Sequence, residues 1–276
     1  MAYLLPWATF YVNMPDLLQL SLESWAFFLL IFARVLAIFA VAPIFGGRNV
    51  PGTVRLSLAG SLAFLFSLTV PPPPGSIFNS FFALLPVEIL VGLAIGYISM
   101  LFFNALQMAG SLIDIPMGFS MVNVFDPNTD TQLPIMGDFY YVLAMLLFLA
   151  TNAHHLLLAA ILESYQWFAV GQNIQPLGLV AFVQTFTRFC LIGVRVAIPV
   201  VGVMLMSDAA LALLARTVPS LNAFILGVPI KIIFGVTTML FCLAAYITFT
   251  GNLFHNSESG MVYEIFNFLG LIGGGR

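Results

Sequence analysis

The sequence predicts an all-α integral membrane protein: a single helical domain over residues 1–276, with about six long hydrophobic helices and an irregular segment between the third and the fourth. Three observations carry this. Of the 276 residues, 61% are hydrophobic and only 7% charged, whereas soluble domains carry about 25% charged residues. The mean hydropathy is +1.07. Several apolar runs are long enough to cross a hydrocarbon core, which takes about 20 residues per helix. Three of them, Ile89–Ile113, Phe139–Leu162 and Ile232–Ser257, contain no formally charged side chain.

In chain order, the predicted spans cover residues 16–43, 55–70, 77–112, 136–168, 178–214 and 229–254. The opening residues, MAYLLPWATFYVNMPD, lack the basic start and small-residue cleavage site of a signal peptide, so no cleaved leader is expected. The second span is short and stops at Pro71–Gly75, PPPPG, a stiff polyproline turn. The third and fifth are longer than one simple crossing and are expected to tilt, break or leave the bilayer. Pro199 predicts a kink in the fifth, because proline removes a backbone donor and crowds the preceding turn. In the third, Gly92-x-x-x-Gly96 predicts close approach of another helix, from this chain or a neighbour. Arg48 and Arg55 lie in the first connection, and Arg216 and Lys231 in or near the fifth. The positive-inside rule then puts connections one, three and five in the cytoplasm and both ends outside.

Chemistry is sparse. The net charge of −3, with eight basic residues, offers no basic patch for nucleic acid. Cys190 and Cys242 lie in apolar stretches and read as small core residues, not as a disulfide framework or thiolate metal site. His154 and His155 are adjacent, so on a helix they point about 100° apart and cannot jointly grip a metal. Asp126–Asp130, DPNTD, begins like a calcium loop. Thr131 then stands where that loop requires glycine, and Gly137 where it requires glutamate. Neither a nucleophile–base pair nor a phosphate-cradling loop is evident, so neither an enzyme nor a cofactor is expected. Arg34, Glu88, Arg195, Asp208 and Lys231 fall within or at the edge of apolar spans, where charge turns to a bundle interior, a water cavity or a partner. They are scattered singly over different helices, without the carboxylate clusters of a pump, which favours structural pairing. A standalone secondary transporter using these charges is the alternative function. The internal repeats typical of such transporters are not visible.

One stretch fits no span. Ile113–Asp130, IDIPMGFSMVNVFDPNTD, carries two prolines, a glycine and three aspartates, yet its middle is mostly Met, Phe and Val. Irregular backbone at membrane depth is tolerated only where protein buries it or a water-filled cavity receives it. Gly118, Pro116 and Pro127 are expected to break the flanking helices. Asp114, Asp126, Asp130 and Asp138 flank the segment. Asp114 and Asp126 are expected to accept hydrogen bonds from backbone donors at the broken helix ends.

Five stretches together resemble a known family. They are Phe32–Ala59 (FARVLAIFAVAPIFGGRNVPGTVRLSLA), Val87–Ile98 (VEILVGLAIGYI), Ala109–Pro127 (AGSLIDIPMGFSMVNVFDP), Ala150–Tyr165 (ATNAHHLLLAAILESY) and Leu213–Ile232 (LLARTVPSLNAFILGVPIKI). In this order they are similar to the FliR/SctT family of type III secretion export-gate subunits. The Arg-Thr-Val-Pro…Asn…Pro-x-Lys stretch is the most specific. The insert and NAHHLLLAA look closer to the flagellar branch.

The resemblance implies a subunit of the flagellar export gate in the bacterial inner membrane at the basal body, needed for export of flagellar building blocks. It implies FliP and FliQ homologues as partners in a hetero-oligomeric pore, an FlhB homologue on its cytoplasmic side, and unfolded export substrates in transit. It implies bent helical hairpins, partly raised out of the bilayer plane. It also implies that Met117, Gly118, Phe119, Ser120, Met121, Val122, Asn123, Val124 and Phe125 plug the pore, with Asp114, Pro116, Asp126 and Pro127 as the plug's mounting. A dewetting apolar stopper suits that role, and methionine repacks at low cost when displaced. Arg34, Glu88, Arg195, Asp208, Arg216 and Lys231 are then expected to serve assembly or intramembrane pairing, with Arg216 and Lys231 reaching across subunit contacts.

Overall fold

A computed structural model describes residues 14–47, 50–119, 134–172, 178–217, 223–254 and 260–273. Among these residues every regular element is a helix. The chain divides into two compact units, one formed by residues 1–97 and 162–174, the other by 98–161 and 175–276.

In the first unit, helix α1 (Met14–Val41) ends before Pro43, which opens the short α2 (Pro43–Gly46). The rings of Phe39 and Phe45 stack at 4.1 Å across this break. Arg55, one turn into α3 (Gly52–Thr69), donates to the Phe45 carbonyl at 3.0 Å and ties the turn to the helix that follows. α3 stops where Val70 donates back to Phe66 and the proline run begins. Helix α4 (Ile77–Met117) is 41 residues long, about 62 Å at 1.5 Å per residue. Its start is capped from α1: the Glu23 carboxylate accepts from Ser76 Oγ at 2.7 Å, Ile77 N at 2.7 Å and Phe78 N at 3.2 Å. A Cβ on Gly92 would stand 2.5 Å from the Arg34 carbonyl oxygen, and one on Gly96 would stand 2.9 Å from that of Ile38. The spaced glycines are therefore the surface on which α4 lies against α1, backbone to backbone.

The second unit takes the remainder of α4, then α5 (Ile135–Ala150), α6 (Ala153–Trp167), α7 (Gly178–Thr217), α8 (Ala223–Phe254) and α9 (Met261–Gly273). The last turns of α6 belong in sequence to the first unit. An aromatic core draws four helices together. Phe102 of α4 meets Phe189 of α7 and Phe254 of α8, at centroid distances of 6.0 and 4.9 Å. Phe148 of α5 meets Phe103 and Phe254 at 5.5 and 5.0 Å.

Three features depart from the expected elements. The segment 136–168 is not one continuous helix: α5 and α6 meet at 76°. Asn152 sits there at φ 58°, and the Thr151 N–H and hydroxyl both return to the Leu147 carbonyl, at 2.9 and 2.8 Å. Asparagine is among the few residues that enter the left-handed region readily. Pro116 does not end α4, which runs through it to Met117. The stop is Gly118, at φ +86°. The amphipathic α9 lies beyond the last predicted span and buries Met261, Ile265, Phe268, Leu269 and Ile272. α7 continues through Pro199.

Five helices are long and apolar enough to cross a membrane, or six if the bent pair forms one span. Between 17% and 50% of each single span's most apolar window is buried within the chain. Large side chains such as Trp25, Phe82 and Phe241 face outward at 66, 86 and 83% exposure. An apolar exterior on this scale belongs against lipid or other subunits.

Candidate functional site: paired charges and the base of the insert

Arg34 and Glu88 form the most buried polar contact in the first unit. Arg34 Nε donates to Glu88 Oε2 at 2.6 Å, with both side chains at 0% exposure. Arg34 Nη1 donates to the Phe168 carbonyl at 3.0 Å, and the guanidinium lies 4.2 Å from the Tyr165 ring centroid. The Tyr165 hydroxyl reaches the Ile31 carbonyl at 3.4 Å. One arginine thus ties α1 to α4 and to the end of α6. Arg34 Nη2 and Glu88 Oε1 have no hydrogen-bond partner among the described residues. A buried pair of this kind adds little net stability, because desolvation offsets much of the attraction.

The second unit holds two further pairs. Lys231 Nζ lies 2.5 Å from Asp208 Oδ1, joining α8 to α7 within the chain, both groups partly exposed. Arg188 Nη1 donates to Glu264 Oε1 at 2.6 Å and fastens α9 to α7. Arg188, Glu264 and the capping Glu23 were not singled out in the sequence. An i, i+4 search finds none of their contacts, which join residues 53 to 76 positions apart. Arg195 and Arg216 are exposed on α7, and neither has an acidic partner among the described residues.

At the base of the insert, the Asp114 carboxylate accepts from Met136 N at 3.0 Å and from Gly137 N at 3.4 Å. It thereby caps the start of α5 from the end of α4. A carboxylate there satisfies first-turn donors and meets the positive end of the helix dipole. The two helices touch closely: a Cβ on Gly110 would collide with the Met136 carbonyl, and one on Gly137 would stand 2.7 Å from Ser111 Oγ. Gln107 Nε2 donates to Asp138 Oδ1 at 3.1 Å. Met117 is fully buried, its thioether packed where a Cβ on Gly235 of α8 would stand 2.6–2.9 Å away. Phe119, just beyond Gly118, is half-buried. Ser120, Met121, Val122, Asn123, Val124, Phe125, Asp126, Pro127 and Asp130 lie outside the described residues.

His154 and His155 follow the bend, with ring centroids 4.2 Å apart. Cys190 and Cys242 are free thiols, partly buried. Among the described residues, no group of three His, Cys, Asp or Glu side chains is arranged to hold a metal.

The fold and these contacts define a class: a helical integral membrane protein in which three ion pairs, Arg34–Glu88, Lys231–Asp208 and Arg188–Glu264, join helices among the described residues. Comparison with known sequences gives the family. The profile of a family described as bacterial export proteins, family 1, matches residues 25–257, and the chain belongs to that family. It is similar to the flagellar biosynthetic protein FliR of Bacillus subtilis (strain 168), with 38% identity over 251 residues, covering 89% of this chain and 95% of the relative. It is likewise similar to the FliR proteins of Escherichia coli (strain K12), at 32% over 261 residues (92% and 96%), and of Aquifex aeolicus (strain VF5), at 29% over 241 residues (86% and 92%).

Proposed function

We infer that this chain is a flagellar export protein acting as a non-catalytic subunit of the type III export gate in the bacterial inner membrane at the basal body. It completes a pore with FliP and FliQ homologues, adjoins an FlhB homologue, and contributes an apolar plug that seals the channel between passages of unfolded substrate. The single domain of residues 1–276 is the working unit of this reading.

The observation that supports the plug best is the fastening at its base. Both helices that flank the insert are held by Asp114 on Met136 and Gly137, by the Gly110–Met136 contact and by Met117 seated on Gly235. Whatever passes through the pore can displace the segment beyond Gly118 without undoing the helices. The pairing of Arg34 with Glu88 and of Lys231 with Asp208 disfavours the standalone transporter, which needs such charges free for its substrate or coupling ion.

The test replaces Ser120–Phe125 with a Gly/Ser linker of equal length, leaving Met117 in its seat. The assembled complex is expected to form at normal yield and to leak small ions across the inner membrane, read as conductance in lipid bilayers. An unchanged resting conductance in a correctly assembled complex would refute the plug.

A further inference from the structure

Arg195, like Arg216, carries a charge that no described carboxylate of the second unit answers, and Arg195 borders a cavity. A cavity of about 260 Å³ opens beside Arg195, walled by Tyr140, Pro199, Cys242, Tyr246 and Phe249. The exposed residues Leu191, Val194 and Ile198 surround Arg195 on α7. A guanidinium does not deprotonate in a protein, so on an apolar face it turns to an anion, a carbonyl or a water-filled cavity, of which an anion offsets its charge. The described carboxylates of this unit are committed elsewhere: Asp114 to the α5 backbone, Asp138 to Gln107, Asp208 to Lys231 and Glu264 to Arg188.

A second observation falls at the same residue. Pro199 stands inside α7, four residues beyond Arg195. Proline has no N–H to give, so the Arg195 carbonyl loses its intrahelical donor. Main-chain acceptor and side-chain donors are therefore both unspent at one point on the helix.

Length decides what covers them. The apolar span Val180–Thr217 has 38 residues, about 57 Å, against about 30 Å of hydrocarbon core. Exposed apolar residues run along it from Val183 to Leu214. An upright helix of that length is covered by lipid tails over only about half of it, and the exposed apolar residues beyond them are a surface suited to protein.

We propose that the Arg195 groove is a socket for a carboxylate carried on an apolar helix of another subunit of the gate. This rests on the export-gate reading above. The carboxylate accepts two N–H groups of the guanidinium fork, the bidentate geometry for which arginine is suited. A hydroxyl or amide near it on the same helix donates to the freed Arg195 carbonyl. Apolar walls of the cavity exclude water and strengthen both contacts.

The experiment keeps Arg195 and places a photo-crosslinking residue at Ile198, in cells that express the chain with its full set of partners. The expected product is an adduct with a co-purifying subunit, mapped by mass spectrometry to within a turn or so of an Asp or Glu on an apolar helix. Arg195→Glu is then expected to lower the yield of assembled complex about ten-fold or more, the effect of at least about 1.4 kcal/mol, with the chain itself still present in membranes. Reversing the mapped acid to arginine is expected to restore it. If Arg195→Glu prevents accumulation of the chain, Arg195→Gln with the mapped acid changed to Gln tests the same coupling, since the double change should cost less than either single one. An adduct with lipid alone, an adduct far from any acid, no adduct, or charge reversal without rescue would each overturn the socket. Loss of the whole chain separates the two ideas. If export persists without the chain, the export-gate reading fails. If export needs the chain but Arg195→Glu assembles normally, the socket alone fails.

Discussion

Removing Glu88 is expected to be among the most damaging single changes in the first unit, and the reason can be worked from its contacts. Glu88→Leu leaves Arg34 a permanent cation at 0% exposure, with the Phe168 carbonyl at 3.0 Å, a long 3.5 Å contact to Ser164 Oγ and the Tyr165 and Phe168 faces at 4.2 and 5.7 Å. Breaking a buried pair from one side costs about 3–5 kcal/mol, because an uncompensated charge stays behind. Arg34→Met alone strands Glu88 in the same way. Combining Arg34→Met with Glu88→Leu removes the desolvation penalty together with the attraction, and the double variant should fall within about 1–2 kcal/mol of the parent. A coupling of about 3 kcal/mol or more between the two sites follows. The assay is thermal unfolding of the parent, the two single variants and the double variant in the same lipid nanodiscs. Each single change should lower Tm by roughly 6–20 °C, at about 2–4 °C per kcal/mol for a chain of this size. A double variant as unstable as the sum of the singles would refute the reasoning.

Two further outcomes follow from close contacts. Gly92→Ala puts a methyl 2.5 Å from the Arg34 carbonyl oxygen and 2.8 Å from Ala37 Cβ, so it should cost about 1–3 kcal/mol of stability as α4 is pushed off α1. Gly202→Ala, where a Cβ meets nothing within 4 Å, should be neutral or stabilising by up to about 1 kcal/mol; equal Tm values for the two variants would contradict the packing. Asp114→Ala strips the start of α5 of its acceptor and should cost about 1–2 kcal/mol. It should also speed hydrogen exchange at the Met136 and Gly137 amides, while amides at the far end of α5 keep their protection.

What could be read from the sequence was what hydrophobicity carries. The apolar runs located the helices because burying or lipid-facing them is the dominant energy, and PPPPG marked the end of α3 because proline chemistry is local. The α5–α6 bend has no such mark. Its signal is a lone asparagine in Ala150-Thr-Asn-Ala153, without proline or glycine, and only the helices on either side force Asn152 to φ 58°. α9 is hidden because thirteen residues are too few to span, and its amphipathic face has meaning only against α7 and α8. At the insert, Pro116 is the conspicuous breaker, yet α4 runs through it and the left-handed stop falls at Gly118. Arg34 and Glu88 were visible as costly charges, but their pairing joins residues 54 apart, and no local pattern encodes that.

That separation also has a consequence in time. Arg34 lies on α1, and Glu88 follows 54 residues later. At about 5–20 residues per second, this is roughly 3 to 11 s of synthesis without a counter-charge. The Phe168 carbonyl, 134 residues on, arrives after roughly 7 to 27 s. An arginine at the centre of a lone helix opposes membrane insertion by about 2.5–3.5 kcal/mol, so α1 settles in its final position only when α4 has been made beside it. Helix α1 is therefore held, through the buried Arg34, to the pace at which the ribosome delivers α4.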